Sequence, residues 1–267
     1  MLKDITLGQY FPGTTIVHRL DPRVKLILTV IYIASLFTAV SYISYAVMLL
    51  ALAAAMYLSQ IGPKAVLKGL KPLILIIIIT AVLNLFYTDG RVLVQFWIFK
   101  ITAEGIRSAF FMVLRIMMLI SGTFLLTYTT SPLAITDGLE LLLSPLKKLR
   151  FPVHELAMMM SIALRFIPTL LEETDKIMSA QKARGADFET GSLLRRARAL
   201  LPLLIPLFVS AFRRADELAS AMECRCYHGG EGRTRMNTLT WRGHDTAALI
   251  LGIALLAGII VLNIFGL

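Results

Sequence analysis

The sequence predicts an all-α integral membrane protein with about five transmembrane helices and three cytoplasmic helices, of which the last two are long, crossing and kinked. Three observations predict this class. Hydrophobic residues make up 57% of the 267 residues and charged residues only 16%, against roughly 45–50% and about 25% in soluble domains. Five apolar stretches are long enough to cross a bilayer, which takes roughly 17–25 residues. Lysine and arginine are concentrated on one side of those stretches.

The five apolar stretches are the predicted membrane spans. The first two form a hairpin around an uncharged turn, and the last lies at the C-terminal end of the sequence. Each contains few or no charged side chains, which are costly in lipid. The predicted spans are residues 24–40, 42–59, 72–87, 106–128 and 246–265.

The distribution of positive charge predicts the orientation. Four Lys and Arg residues lie before the first span or at its start, three lie between the second and third, and sixteen lie between the fourth and fifth. Only three lie on the other side, between the third and fourth spans or at the start of the fourth. Since cytoplasmic loops carry the excess of Lys and Arg, the N-terminus is expected in the cytoplasm and the C-terminus outside. The chain therefore divides into four N-terminal spans (residues 1–130), a cytoplasmic region (131–243) and a final span (244–267).

Arg115 is the one basic residue that lies away from the ends of a predicted span. An ionisable group in a span is a functional candidate by default. The alternative is a charge that pairs with a neighbouring helix or extends to the membrane interface. We favour the second interpretation because transport relays use several such groups, and only one is present here.

The cytoplasmic region is predicted to contain three helices. Residues 131–148 form a short amphipathic helix, with Ser131 as the cap and Pro132 at the first helical position. Residues 153–183 and 193–225 form two longer helices, each apolar in its first part and charged in its second. Pro202 and Pro206 are expected to kink the last helix. Each long helix is expected to start against the membrane bundle and to end in the cytosol.

The polar ends of the two long helices repeat one pattern at an offset of 41 residues. The pattern is Asp-x-x-x-Ser-Ala-x-x-x-Arg, and small residues flank each arginine. The glycines that follow are suitable helix-stop signals. In the first helix the repeat consists of Asp175, Ser179, Ala180 and the tip Ala183-Arg184-Gly185; in the second it consists of Asp216, Ser220, Ala221 and the tip Cys224-Arg225-Cys226.

An arginine between small residues at the end of a helix can enter a narrow groove. Its guanidinium offers five fixed donors that match a carboxylate bidentately. Two similar tips suggest two similar grooves, as a dimer of like subunits would present. A single tip is better explained as a basic residue that complements the helix dipole. Three features favour a binding role for the pair, Arg184 and Arg225. The pattern is repeated, both helices change from apolar to charged along their length, and both arginines lie at helix ends.

Other candidate sites are weaker. Cys224, Cys226 and His228 could ligate a metal, but three groups within five residues and no fourth make a poor zinc site, so no metal site is predicted. No nucleotide-binding loop, hydrolase motif or metalloprotease motif is present in the sequence. The net charge of +10 suits the cytoplasmic face of a membrane, so lipid and not nucleic acid is the expected partner.

Two rival functional classes are to be weighed. A secondary transporter would show inverted repeats and broken polar spans, whereas the repeat here is direct and cytoplasmic. A membrane-embedded enzyme would need convergent acid, base or metal groups. Candidates for such groups are present, but no spacing singles out a site; they are His154, Glu155, Glu172, Glu173 and Asp175.

The paired tips and their surroundings resemble the transmembrane (T) component of energy-coupling factor (ECF) transporters. That family carries two Ala-Arg-Gly-like motifs, which the tips at Arg184 and Arg225 resemble, although cysteine occupies both flanking positions of the second tip. Residues 221–227 and 229–234 resemble the second motif and its sequel. A family signature near the N-terminus is matched by His18, Leu20, Asp21, Pro22, Arg23 and Lys25.

The resemblance covers almost the whole chain and implies a non-catalytic scaffold in a prokaryotic cytoplasmic membrane. Its implied partners are two ABC-type ATPase subunits and a small membrane substrate-binding (S) subunit that captures a vitamin or metal ion. Residues 183–185 and 224–226 would contact the ATPases, and the long helices, called coupling helices, would transmit ATP-driven closure to the S subunit. No cofactor is expected on this chain, since ATP and Mg²⁺ would be bound by the ATPases.

Overall fold

A computed structural model describes residues 10–88, 90–96, 99–186, 188, 192–230 and 238–265. The predicted all-α class is confirmed, because helices make up most of the described residues. A short antiparallel hairpin of two strands, β1 (Val92–Phe96) and β2 (Phe99–Thr102), is an addition that the sequence does not predict. The chain forms two compact units: residues 8–138 with 239–267, and a second built around residues 139–238.

The first unit is a helical bundle. Asp21 caps α2 (Pro22–Thr38) by accepting a hydrogen bond from the backbone N–H of Arg23 (2.9 Å), and Pro22 occupies the first turn. Ser41 and Thr102 cap α3 (Tyr42–Ser59) and α6 (Ala103–Thr129) in the same way, since a side-chain oxygen satisfies an otherwise unpaired N–H of the first turn. The helices are α1 (Ile16–Arg19), α2 (Pro22–Thr38), α3 (Tyr42–Ser59), α4 (Pro63–Leu70), α5 (Ile74–Tyr87), α6 (Ala103–Thr129), α7 (Pro132–Leu142) and, later in the chain, α10 (Gly243–Ile264).

The core of this unit is formed where α2, α3, α6 and α10 meet. Its side chains are buried and apolar, and they pack against one another. A second, smaller cluster joins α4 to the end of α6 through Val66, Leu70 and Tyr128. The main cluster consists of Leu36, Ala39, Tyr45, Met48, Leu52, Met118 and Ile259.

Five helices of the described residues are long and apolar enough to cross a membrane. Four of them correspond to predicted spans: α3, α4 continued into α5 through a 3₁₀ turn (Lys71–Leu73), α6 and α10. The fifth is α8 (Val153–Ala183), which the sequence assigns to the cytoplasm; its mean hydropathy is the lowest of the five. The predicted first span is α2, whose 17 residues lie at the short limit for a span.

The second unit contains the two longest helices of the described residues, α8 (31 residues) and α9 (Leu193–Cys224, 32 residues), which pack against each other. Both continue through internal prolines, so their kinking stays a prediction. The single helix predicted for residues 131–148 is wrong in extent: α7 ends at Leu142, and a separate 3₁₀ helix follows (Ser144–Leu149). Pro145 explains the break, because proline disfavours the α conformation in the residue before it. The predicted cap is confirmed, since Ser131 Oγ accepts from the Ala134 N–H (3.3 Å).

The division into membrane and cytoplasmic segments stays a prediction. The boundary between the two compact units lies within α7, at residues 138–139, and again at residues 238–239. Compactness reports contacts within the chain, whereas the predicted boundaries at 130 and 243 concern the position of the bilayer.

Candidate functional site

The first helix tip ends in a Schellman motif. The Ala186 N–H donates to the Gln181 carbonyl (3.0 Å), and the Gly185 N–H donates to the Lys182 carbonyl (3.0 Å). Gly185 has a φ of 88°, in the left-handed region that only glycine enters without a steric penalty. Arg184 is therefore the last residue before the chain reverses, with φ −85° and ψ 5°.

The second tip has the same geometry. The Tyr227 N–H donates to the Met222 carbonyl (3.0 Å), and the Cys226 N–H donates to the Glu223 carbonyl (2.9 Å). Arg225 has φ −93° and ψ 14°, close to the values of Arg184. Cys226 takes the place of Gly185 with a φ of 56°, although a β-carbon in this region costs about 1–2 kcal/mol. The left-handed position is thus kept where glycine is absent, and the two arginines occupy equivalent places.

Both arginine side chains are exposed, as are the small residues beside them: Ala183, Gly185, Cys224 and Cys226. Neither guanidinium forms an ion pair with any residue that the structure describes. Within the described part of the chain, neither guanidinium is engaged, so its five donors can serve a carboxylate of another molecule.

The other residues of the repeat lie in the C-terminal parts of α8 and α9. Each helix presents its aspartate, serine and alanine to solvent, and the Ser179 hydroxyl donates to the backbone carbonyl of Asp175 (2.8 Å). None of these side chains contributes to a buried core, so the repeat is not explained by packing within the chain. The exposed residues are Asp175, Ser179, Ala180, Asp216, Ser220 and Ala221.

A contact between the long helices is missing from the sequence prediction. The Arg214 guanidinium donates to Glu173 Oε2 (2.8 Å), and the Ser210 hydroxyl donates to Glu173 Oε1. Glu173 belongs to α8 and its two partners belong to α9. The offset of 41 residues could have pointed to this pair, because it places Glu173 and Arg214 at equivalent positions.

His154 also has a structural partner. Its Nδ1 lies 3.0 Å from Glu140 Oε1, which joins α8 to α7. Gly230 packs on the other side of the ring, where a β-carbon would lie 2.5 Å from Cδ2. The glycine that follows the second tip in sequence therefore provides a close approach to α8.

The N-terminal signature forms a network within the first unit. The Lys25 ammonium is buried, and it donates to the His18 carbonyl (3.1 Å), the Thr129 carbonyl (2.9 Å) and Thr130 Oγ1 (3.2 Å). Lys25 thereby joins α2 to the segment before it and to the end of α6. Since α6 leads directly into α7, the signature holds the junction between these two helices.

Asp21 completes this network. Its carboxylate forms a bidentate pair with Arg23 (2.7 and 3.0 Å), and its backbone N–H donates to Asp245 Oδ1 (2.8 Å). Burial raises the pKa of the Asp21 carboxyl, but the hydrogen bonds from Arg23 outweigh burial and hold that pKa below its ordinary value. Of the two remaining signature residues, Pro22 is the first residue of α2, and Leu20 is the C-cap of α1 and lines a cavity beside α2.

Arg115 is paired with neighbouring helices, as the favoured interpretation expects. Its Nε donates to the Tyr45 hydroxyl (2.8 Å), and Nη2 donates to the Ala39 carbonyl at the end of α2 (3.0 Å). Its guanidinium carbon lies 5.8 Å from the ring centres of Phe37 and Tyr45. The residue therefore stabilises the turn between α2 and α3.

No cluster of three metal-ligating side chains exists among the residues that the structure describes. His228 Nδ1 donates to the carbonyl of Cys226 (2.7 Å), and both cysteines are exposed free thiols. The tip at Arg225 is thus held by hydrogen bonds of the backbone and of His228.

The similarity to known proteins extends over both the candidate site and the N-terminal signature. The family model CbiQ, described as cobalt transport protein, matches residues 13–236. A protein of Thermosediminibacter oceani is 55% identical over 249 residues, or 93% of this chain and 94% of that relative. A Bacillus subtilis protein is 50% identical over 258 residues (96% and 97%), and a Lactococcus lactis protein is 43% identical over 250 residues (93% and 94%). All three relatives are named energy-coupling factor transporter transmembrane protein EcfT.

Proposed function

Because the chain belongs to the CbiQ family and is the transmembrane component of an ECF transporter, we propose that it is the non-catalytic scaffold linking two ABC-type ATPases to a small substrate-binding membrane subunit. The observation that carries this proposal is the pair of helix tips, which end in the same Schellman geometry with an exposed arginine at equivalent positions, unpaired among the described residues. Two equivalent tips suit two like subunits.

Each tip would enter a groove of one ATPase. The exposed guanidinium of Arg184 or Arg225 would make a bidentate, charge-assisted contact with a carboxylate there. Small neighbours would let the helix end approach closely, in the general mode of a helix docked in a groove. Removing one partner of a desolvated charge pair costs about 2–5 kcal/mol. Loss of both arginines is therefore expected to dissociate the complex or to uncouple ATP hydrolysis from uptake.

The proposed orientation places the N-terminus and both tips in the cytoplasm and the C-terminus outside. The excess of Lys and Arg in residues 131–243 supports it. ATP and Mg²⁺ would be bound by the ATPases, and the vitamin or metal ion would be bound by the substrate-binding subunit. This chain would then carry the ATPase motion through α8 and α9. The family assignment does not favour the secondary-transporter and enzyme alternatives.

The test is affinity purification of tagged protein from its native membrane. The wild type is compared with Arg184→Glu/Arg225→Glu and with Lys176→Glu/Arg213→Glu, a control that makes the same charge change away from the tips. Lys176 and Arg213 are exposed, one on each helix. Equal membrane yield and a single elution peak in detergent establish that all three proteins are inserted and folded.

We expect two ATPases to purify with the wild type and the control, and to be lost from the variant with both tip arginines reversed. Absence of ATPases from the wild type would refute the scaffold role. Equal recovery with all three proteins would leave the scaffold in place and refute the role of the arginines. Loss from the control as well would show that net charge, and not the tips, governs binding.

A further inference from the structure

The side chains of Glu173, Ser210 and Arg214 join the two long helices at one place. Glu173 accepts through both carboxylate oxygens, one from the Arg214 guanidinium at 2.8 Å and the other from the Ser210 hydroxyl. The Glu173 side chain is 22% exposed and that of Arg214 is 35% exposed. The contact is thus partly shielded from water, which strengthens it relative to a fully exposed ion pair.

The position of this contact is symmetric with respect to the tips. Glu173 precedes Arg184 by eleven residues, and Arg214 precedes Arg225 by eleven residues. At 1.5 Å per helical residue, each segment between the contact and its tip is about 16 Å long. The two helices therefore meet at residues that the repeat makes equivalent, and their tips lie at equal distances from the meeting point along each helix.

The two distal segments are built as rigid arms. Residues 173–183 and 214–224 are continuous helix and contain neither proline nor glycine. The prolines of both helices, Pro168, Pro202 and Pro206, all lie before the contact. Since proline weakens a helix and permits bending, bending is expected on the proximal side of the contact and not between the contact and the tips.

We propose that Glu173, Ser210 and Arg214 form an interhelical clamp that makes the two arginine arms move as one body. The inference rests on the proposed function, in which each arm is seated in a different ATPase. Movement of one ATPase would then displace both arms together, and the motion would pass to the proline-containing segments. The three residues act by positioning the arms; they touch neither ATP nor cargo.

The experiment measures the distance between the arms. Spin labels are attached through p-acetylphenylalanine at positions 176 and 217, one on each arm, which are exposed and lie outside the repeat; Cys224 and Cys226 stay unchanged. Double electron–electron resonance is recorded on the purified transporter complex, without nucleotide and with the magnesium complex of a non-hydrolysable ATP analogue. The same samples are assayed for bound ATPases.

The variants are Glu173→Arg, Arg214→Glu and the exchange of both charges in one chain. The matched control reverses the adjacent pair, Glu172→Arg and Arg213→Glu. These two neighbours are also equivalent at the offset of 41 residues, both are exposed, and neither forms an ion pair with a residue that the structure describes.

We expect one narrow distance distribution for the parent in each nucleotide state. Each single reversal is expected to broaden it about twofold with both ATPases still bound, because like charges now face each other. The exchanged pair is expected to restore the narrow distribution, and the control to leave it unchanged. Restoration separates a pairwise contact from a general loss of structure.

Three results would overturn the clamp. The single reversals could leave the distribution narrow, the exchanged pair could stay as broad as the singles, or the single variants could lose the ATPases, which would make the contact a requirement of folding. Failure of the proposed function is recognised separately, because no ATPase would then purify with the parent chain. The distance measurement on the isolated chain would still decide whether the contact holds the arms together.

Discussion

Asp245 is predicted to be the most sensitive polar side chain of the first unit. It is 1% exposed, and it accepts two backbone hydrogen bonds, from the Asp21 N–H (2.8 Å) and from the Arg242 N–H (2.8 Å). The first bond joins the start of α10 to the start of α2, and the second caps α10. Removal of the carboxylate would therefore leave two donors without partners in the same place.

The expected loss follows from these two bonds. A buried donor left without a partner costs about 1–3 kcal/mol, and a lost helix cap costs about 0.5–2 kcal/mol. For Asp245→Ala the free energy of unfolding should fall by about 1.5–5 kcal/mol. Asp245→Asn keeps an acceptor for Asp21 but presents an amide N–H to the Arg242 N–H. Its cost should be limited to the cap, about 0.5–2 kcal/mol.

The assay is equilibrium unfolding in dodecyl maltoside micelles by titration with sodium dodecyl sulfate. Trp241 reports the transition, because its ring lies 5.7 Å from the Arg23 guanidinium and its indole N–H donates to Thr246 Oγ1 (2.7 Å). A Trp97→Phe background removes the other tryptophan of the chain. The adjacent, exposed His244 supplies the control variant His244→Ala, which should change the unfolding free energy by less than about 0.5 kcal/mol.

We expect the parent to be the most stable protein, the asparagine variant to be less stable, and the alanine variant to be the least stable. An alanine variant within about 0.5 kcal/mol of the parent would refute the assignment of two hydrogen bonds to this carboxylate. Equal losses for alanine and asparagine would show that charge, and not the Asp21 contact, dominates.

Three further predictions concern other parts of the chain. Cys226→Gly should stabilise the second tip by about 0.5 kcal/mol, because it removes a steric cost of about 1–2 kcal/mol at the left-handed position and adds about 0.4–1 kcal/mol of unfolded-state entropy. Slower hydrogen exchange at the tip would support this prediction, and faster exchange would contradict it. The lowered pKa of Asp21 contributes stability that is present above its ordinary value and is lost as the pH falls through the lowered value, so Asp21→Asn should flatten the pH dependence of the unfolding midpoint in acid. Arg115→Gln should cost about 1–3 kcal/mol by leaving the Ala39 carbonyl without a donor, whereas Tyr45→Phe should cost about 0.5–1.5 kcal/mol; equal costs would contradict the assigned contacts.

The two tips show which structural features a local sequence pattern can predict. The spacing of Asp, Ser, Ala and Arg at an offset of 41 residues predicts two equivalent helix ends, and the structure ends α8 at Ala183 and α9 at Cys224. Gly185 is a recognisable stop signal because glycine favours the left-handed conformation. Cys226 is not, since cysteine has no such preference, and only the backbone reveals that it takes the same conformation.

The extents of the other helices show where local patterns are insufficient. Pro145 divides the segment of residues 131–148, which its amphipathic pattern predicts to be one helix. Length also separates two of the helices: α8, with 31 residues, is long and apolar enough to span, whereas α2 has only 17 residues. A helix that packs its apolar part against protein and one that faces lipid have similar compositions, so composition alone does not distinguish them.

By itself the sequence determined the helical class, four of the apolar helices that could span a membrane, the repeat of the two tips and the position of their arginines. These features depend on hydropathy, charge and spacing within a few helical turns, which are properties of short segments. Only the tertiary structure decided that Asp21 meets Asp245, that Lys25 reaches the end of α6, and that Glu173 meets Arg214. The partners of each pair are far apart along the chain, so which buried donor meets which acceptor depends on how the helices pack together.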